Sequence, residues 1–452
     1  MGRWRSLASS SLAELRSLPP ALAETTVQSL SQEGRGLARI GGRTVFIDGA
    51  LPRERVQFFY ARQRTRYDEG RVVRVLEPAP ARVTPRCPHF GICGGCSLQH
   101  LAPEQQLQHK QAMVLEQLQR IGGIQPEALL PPLAGSGWGY RRKARLAVKF
   151  VAKKNAVLVG FREKHSHLVA ELISCEVLHP SVGTRIPALR ALIRELSVYD
   201  KIPQIEIAVG DAATALVFRH LVELPPSDIE RLKAFSEHHR FSIYLQSGGL
   251  ESIQPLWPLD SPPLYYTLEG GLSVYFHPAD FIQVNAELNR LMVARVLELL
   301  DVQPSDRVLE LFSGVGNFSL PIAKRAATLT ALEGDAALVA LADANAKRNG
   351  IDNIQFRLAD LADLADPRSC ALDEAYDSLL VDPPRTGALE VIEALNLKTV
   401  RRLVYVSCNP ATLARDAAIL DDKNGLKLSC LGLIDMFPHT SHVETVALFE
   451  HR

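Results

Sequence analysis

The stretch that decides the fold is Asp306–Ala323, DRVLELFSGVGNFSLPIA. An apolar run, Val308 to Leu311, is cut by Gly314 and Gly316 and followed by a helix start. Glycine has no Cβ, so at such a strand-to-helix switch the backbone can come close to a ligand. Outward from it, the pattern repeats. A helix, NRLMVARVLELLDV (289–302), precedes it. After it come strand ATLTALE (327–333), helix ALVALADANAKRNG (337–350), and strands IQFRLAD (354–360), SLLVDPP (378–384) and RLVYVSC (402–408). Short apolar strands alternating with helices predict a parallel α/β sheet of the Rossmann-like kind.

The loop also predicts a cofactor. Glu333 ends the second strand about 20 residues past the first glycine, where an acid can grip two ribose hydroxyls. A dinucleotide fold would want a third glycine at the place of Ser319 to hold a pyrophosphate. Its absence suits a nucleoside cofactor without phosphates, S-adenosylmethionine. Asp360, at the end of the third strand, is then the expected partner of the adenine amino group.

Two further strand ends carry chemistry. SLLVDPPR ends in Asp382, Pro383, Pro384 and Arg385. An aromatic fourth residue there would suit methylation of an exocyclic amine, with the ring stacked on the base. Arg385 points to another target atom. The last strand delivers Cys408 into a turn closed by Asn409 and Pro410. The bland reading of such a cysteine is a small buried hydrophobe. Its place downstream of DPPR and a methyl-donor loop favours a nucleophile. The C5 carbon of uracil is too weak to attack a sulfonium methyl, but a thiolate added at C6 makes C5 enolate-like. A base must then remove the C5 proton. PHTSHVETVALFE (438–450) offers Glu444 as that base, with His439 and His442 as the next candidates. RNA cytosine-C5 enzymes commonly place a second cysteine after the DxP turn; none stands beside Asp382.

The chain of 452 residues suggests about three domains. The N-terminal 25 residues read as a disordered extension without the apolar core of a signal peptide, and no window is apolar enough for a membrane helix. A cytoplasmic, membrane-free monomer is expected. Net charge is only +1, yet residues 35–86 hold twelve Arg against five acids. Short β-branched and aromatic runs between Gly, Pro and Asp turns make residues 26–81 a small β-barrel with a basic face, a form suited to nucleic acid. The cluster YRRKAR (Arg141, Arg142, Lys143, Arg145) is expected to add phosphate contacts. Residues 82–277 read as a central α+β domain, in which helix 103–121, with apolar Leu107, Met113, Leu115, Leu118 and Ile121, could pack on the catalytic domain at 278–452.

Seven cysteines in this length do not make a disulfide scaffold. Cys87, Cys93 and Cys96 with the distant Cys175 make a four-thiol set. Their spacing alone divides evenly between Zn²⁺ and a [4Fe–4S] cluster, and is not the triplet of a radical enzyme. Cys370 and Cys430 read as ordinary thiols.

Taken together, TPRCPHFGICGGC (84–96), WGYRRKAR (138–145), DFIQVNA (280–286), VSCNPATLARD (406–416) and DMFPHTSHVE (435–444) closely resemble the bacterial RNA (uracil-5-)-methyltransferases, in the 23S ribosomal RNA branch that carries a TRAM domain and an iron–sulfur cluster. The resemblance implies a [4Fe–4S] cluster on Cys87, Cys93, Cys96 and Cys175. It implies that Gln283, Phe312, Asn317, Glu333, Asp360 and Asp382 contact the methyl donor or hold its site, with Cys408 as nucleophile and Glu444 as general base. The barrel becomes an OB-like TRAM domain, and the partner a single-stranded or loop segment of 23S rRNA. Relatives often have Cys and Met where Ser313 and Val315 stand, and DPARAG where this chain has DPPRTG. These departures leave the activity intact. Two other readings remain: a transfer RNA uracil-5 methyltransferase, which usually lacks the barrel and the cysteines, and a non-catalytic metal-containing RNA-binding protein, which would not need Cys408, Glu444 and a complete cofactor loop together.

Overall fold

The computed structural model describes residues 22–361, 372 and 374–451. Residues 1–21 and Cys370 lie outside the described residues. The chain falls into two compact units. The smaller holds the described residues up to Pro85 together with Ser97–Gln105, and the larger holds Arg86–Cys96 and everything from Gln106 on.

In the smaller unit, strands β1 (Leu22–Thr26), β2 (Ser29–Leu30), β3 (Gly36–Ile40), β4 (Arg43–Asp48), β5 (Arg55–Gln63) and β6 (Tyr67–Glu77) form one sheet in the order β1-β5-β6-β4-β3-β2. Alternation buries Ala38, Val45, Ile47, Val56 and Phe58 on one face. Gly70 lets β6 cross Phe58 closely, since a Cβ there would lie 2.6 Å from the ring. The unit begins earlier than the expected residue 26. Leu22–Thr26 pairs antiparallel with Arg55–Phe59, so the ladder captures the end of the presumed extension. Some of the arginines are structural. Arg82 clamps the buried Glu54 at 2.5 Å, and Arg43 pairs with Asp68 at 2.9 Å. Arg62, Arg64 and Arg66 stay exposed near the β5–β6 turn.

The larger unit holds two main sheets. After β7 (Ala128–Leu129), strands β8 (Lys143–Val151), β9 (Ala156–Gly160), β10 (Gln204–Val209), β11 (Thr214–Arg219), β12 (Ser242–Gln246) and β13 (Ile253–Trp257) form a sheet ordered β13-β12-β11-β10-β8-β9. The β8–β9 turn is a short helical turn, Ala152–Lys154, closed by Asn155 in the left-handed region. A hairpin, β14 (Tyr265–Thr267) and β15 (Ser273–Tyr275), leads to strands β16 (Arg307–Leu311), β17 (Thr328–Glu333), β18 (Ile354–Leu358), β19 (Ser378–Val381), β20 (Arg402–Ser407), β21 (Leu426–Ile434) and β22 (Glu444–His451). With β7 they form an eight-stranded sheet, β18-β17-β16-β19-β20-β22-β21-β7. β16 to β20 are parallel, as expected, but β22 runs antiparallel to both β20 and β21.

The expected boundary near residue 278 is not a break between compact units. One apolar core runs from Val177 and Ala208 through Tyr266, Phe276 and Met292 to Val404. Backbone bonds such as Arg142 N–H to Val284 O (2.8 Å) cross the boundary. Helix α1 (Pro103–Gln117) does pack where suspected. Its Met113 and Val114, with Leu118 beyond it, share a core with Leu413 and Ala414. Its buried face is partly polar, however: Gln106, Lys110 and Gln117 lie inside while Ile121 beyond it is exposed. Among the described residues no helix is long and apolar enough to cross a membrane.

YRRKAR is also built into the fold. Arg142 pairs with Asp211, Lys143 donates to Pro278 O, and Arg145 bonds Glu206 at 2.9 Å. Burial pushes Lys143 down to about 8.

Candidate active site

The β20 strand must stop after Ser407, because Asn409 and Pro410 start the next helix. Asn409 caps helix α2 (Pro410–Asn424), accepting from Ala411 N–H at 3.2 Å, and Pro410 fits the first turn, where no donor is needed. Cys408 is left half-buried in the link between them. Glu444 opens β22. The antiparallel register sets Ser407 opposite Thr445, and Thr445 Oγ1 donates to Ser407 O at 3.2 Å. The flanking Cys408 and Glu444 therefore meet at the same sheet edge, within the roughly 5 Å reach of facing strands. An antiparallel strand is what allows this: its beginning lies where the parallel strands end.

One cavity of ≈ 530 Å³ opens there. Its walls bring together Cys408, Glu444, Asp382, Gln283, Phe312, Asn317 and Glu333. That volume suits a small-molecule ligand. Two carboxyl groups, Glu444 and Asp382, crowd the Cys408 thiol there. Burial, then the charge of Asp382, raises the Glu444 carboxyl well above the usual range. Burial raises Asp382 to about 7. Cys408 is pushed to about 11 by burial and by Glu444 and Asp382, and the Arg385 guanidinium opposes this. Arg385 also donates to His442 Nδ1 at 3.2 Å, which assigns His442 as neutral there, in line with a pKa lowered by burial and by Arg385. The reaction outlined for Cys408 and Glu444 needs both deprotonated, and both hold their protons to higher pH than usual. At subsaturating cofactor kcat/KM should therefore rise with pH, by up to ~10-fold per unit between about pH 6 and pH 9. kcat/KM covers the steps through methyl transfer, so the rise reports the Cys408 thiolate, and a flat profile over that range would remove that thiolate from the chemistry.

The donor side is preorganised. Glu333 accepts from Gly314, Gly334 and Asp335 N–H at 2.9, 2.8 and 3.1 Å, which fixes its carboxylate at the cavity wall. Asn317 exchanges two bonds with Asn289 (2.8 and 3.0 Å) and accepts from Tyr266 Oη (2.9 Å). Phe312 holds a left-handed φ of 65°, a conformation costly for a bulky residue, and Gly314 follows at 55°. Beside the loop, burial raises Glu310 to about 8.

Two candidate residues lie outside this cavity. Asp360 is exposed, two residues beyond β18, and is not among the cavity's walls. His439 does not line the cavity either. It is buried, its ring stacks on Trp138 at 4.0 Å, and burial lowers it to about 4. His442 does line it. Sequence reading missed Tyr266, Phe281, Ile282 and Phe437 as walls; DFIQVN held the signal for two of them.

The four thiols of the cysteine set share one neighbourhood within the larger unit. Burial raises Cys93 to about 11, and nearby Cys175 and Cys87 add to it. Burial likewise raises Cys87 and Cys175. Among the described residues no group of three or more potential ligands is gathered in metal-holding geometry. The donor set itself suits a soft metal: four partly buried thiols, three of them (Cys87, Cys93 and Cys175) held protonated by burial, gain most from a cation that replaces their protons.

Residues 271–452 match the tRNA (Uracil-5-)-methyltransferase family. The chain is 56% identical to the 23S rRNA (uracil(1939)-C(5))-methyltransferase RlmD of Nitrosococcus oceani, over 94% of this chain and 96% of that protein. Its identity to the protein of the same name from Alkalilimnicola ehrlichii is 50%, over 96% and 98%. The crystal structure of Pyrococcus abyssi tRNA (uracil-54, C5)-methyltransferase with S-adenosyl-L-homocysteine superimposes with a TM-score of 0.72 at 25% identity, covering 94% of this chain and all of that one. With near-complete coverage at such identity, and with thiol and carboxyl meeting in one cavity, the chain belongs to the RlmD family of RNA uracil-C5 methyltransferases.

Proposed function

We propose that this protein transfers a methyl group from S-adenosylmethionine to C5 of one uridine in 23S rRNA, of the uracil-1939 type named for its relatives. The observation that carries the reading is the meeting of Cys408 and Glu444 in a cavity whose other wall is the Glu333–Asn317 cradle. The cradle fits the cofactor: a fixed carboxylate suits a ribose, and a Cβ at Gly314 would meet nothing within 4 Å, so the loop leaves open space. Gln283, Phe312, Asn317, Glu333 and Asp382 would hold it. When bound, the cofactor supplies an electrophilic methyl group.

Cys408 thiolate adds to C6 of a uracil turned out of its stack, at a cost of a few kcal/mol. The electron pair moves to C5, which takes the methyl group. Glu444 then accepts the C5 proton, the C5–C6 double bond re-forms, and Cys408 leaves as thiolate. Arg385 stabilises the thiolate at both ends of this cycle.

The smaller unit is read as a TRAM domain, with the exposed arginines of its β5–β6 turn facing RNA phosphates. Cys87, Cys93, Cys96 and Cys175 are read as the ligands of a [4Fe–4S] cluster, which would tie the 87–96 loop to the 175 segment. A ribosomal substrate would place the enzyme in the cytoplasm. The test is a map of 5-methyluridine in ribosomal and transfer RNA from a strain lacking the protein. Loss at one 23S rRNA uridine, restored by the wild-type chain but not by Cys408→Ala, is expected. Loss from transfer RNA instead would overturn the substrate assignment.

A further inference from the structure

The segment Gly137–Tyr140 stands between the cysteine set and the loop that carries the proposed base. On one side it is pinned beside the cysteines. Gly139 N–H donates to Glu176 O (2.9 Å) and Arg141 N–H to Val177 O (2.8 Å), just past Cys175. Arg86, next to Cys87, pairs with Glu176 at 3.0 Å and lies over the Trp138 ring at 5.1 Å. On the other side the same segment grips the start of the wall that ends at Glu444. Trp138 stacks on His439, and Tyr140 Oη donates to Pro438 O at 3.2 Å. Gly137 has no side chain because a Cβ there would lie 2.9 Å from His439 Nε2.

His439 needs such support. Its φ is 65°, a left-handed conformation that a histidine holds only when its surroundings impose it. From the opposite side, Gln106 accepts from His439 N–H at 3.0 Å, and Lys110 bonds Asp435 Oδ1 at 2.6 Å and Phe437 O at 3.1 Å. Helix α1 thus fixes one flank of the turn, and Trp138 and Tyr140 fix the other. Phe437, His442, Val443 and Glu444 follow as cavity wall.

We propose that Trp138 and Tyr140 are positioning residues that make the placement of the Phe437–Glu444 wall depend on the intact four-cysteine site. The inference rests on the functional reading above for the cluster on the four cysteines and for turnover. The coupling is geometric, carried by a stack, a hydrogen bond and backbone pins, and moves neither electrons nor protons. A misplacement of about 1 Å at a reacting group can cost ~100-fold in rate.

The test compares the full-length wild type, Trp138→Leu, Trp138→Phe and Tyr140→Phe, all purified without oxygen. Amide hydrogen exchange of residues 437–444 is followed before and after iron is removed with a chelator, with iron content and kinetics alongside. In the wild type, removal should speed exchange of this segment by about tenfold or more. Trp138→Leu should show the fast exchange with its iron still bound and respond little to removal. Its kcat should fall ~10- to 100-fold with KM within about twofold. Trp138→Phe, which keeps a ring, should recover most of both. Tyr140→Phe, which loses one bond in a buried site, should fall between. Unchanged exchange in both Trp138→Leu and Tyr140→Phe would overturn the proposal. So would loss of iron from Trp138→Leu, which would make the segment part of the metal site's own support. A wild type that made no 5-methyluridine would overturn the functional reading alone, because the exchange experiment does not depend on turnover.

Discussion

Cys408→Ala is expected to lose methylation by ~10⁴-fold or more, and to lose every covalent complex with RNA. No other described cysteine can replace it. Among the described cysteines Cys430 is buried in the core, and the four of the cysteine set do not line the cavity. Alanine is close in size, and the half-buried turn between β20 and α2 is held by Asn409, Ser407 and Thr445, so the fold and cofactor binding should survive. RNA bearing 5-fluorouracil sharpens the measurement. Fluorine cannot leave C5 as a cation, so the wild type should stall as a methylated adduct that migrates slowly on a denaturing gel. The variant should give none. Appreciable residual methylation by Cys408→Ala would mean that C5 is activated without a thiolate.

Glu444→Gln should have the opposite signature. It keeps the shape of the side chain but cannot take a proton. Addition and methyl transfer come before the base acts, so both should proceed, while elimination slows by ~10²- to 10⁴-fold. The variant should accumulate, on ordinary RNA, a covalent complex that already carries the donated methyl group. The substitution also removes one of the two carboxyl groups that raise Cys408, which should ease its first step. Normal turnover without an adduct would move the base to His442, whose ring shares the cavity; His439 is excluded by its burial against Trp138.

Much of the catalytic half was legible because its chemistry sits at strand ends, and strand ends are what apolar runs and capping residues mark. Asp382, Cys408 and the Gly314 loop all fall where parallel strands stop, and the structure brings them into one cavity. Four features were not legible. The direction of β22 is not encoded in VETVALFEH, since a strand buried on both faces reads the same in either orientation. Asp360 has a strand-end position like Glu333, yet lies past the cavity because β18 is the outermost strand of the sheet. The internal pairing of YRRKAR was hidden because its acidic partners, Asp211 and Glu206, are distant in sequence. The buried polar face of α1 was hidden by the same cause: Lys110 belongs inside only because Asp435 and Phe437 O meet it there.

The reversed strand has a consequence for how such a chain can vary. Cys408 and Glu444 are neighbours through the β20–β22 ladder, while the chain between them travels out through α2 and returns along β21. Their separation is therefore set by two facing backbones and not by the length of that excursion. Insertions or deletions in the turn after α2 should leave the pair untouched, since loop length adds little to the cost of closure. A one-residue slip between β20 and β22 would part them and turn the following side chains to the other face of the sheet. The number of residues between nucleophile and base is free to drift among related chains, while the hydrogen-bond register from Ser407 to Thr445 is not.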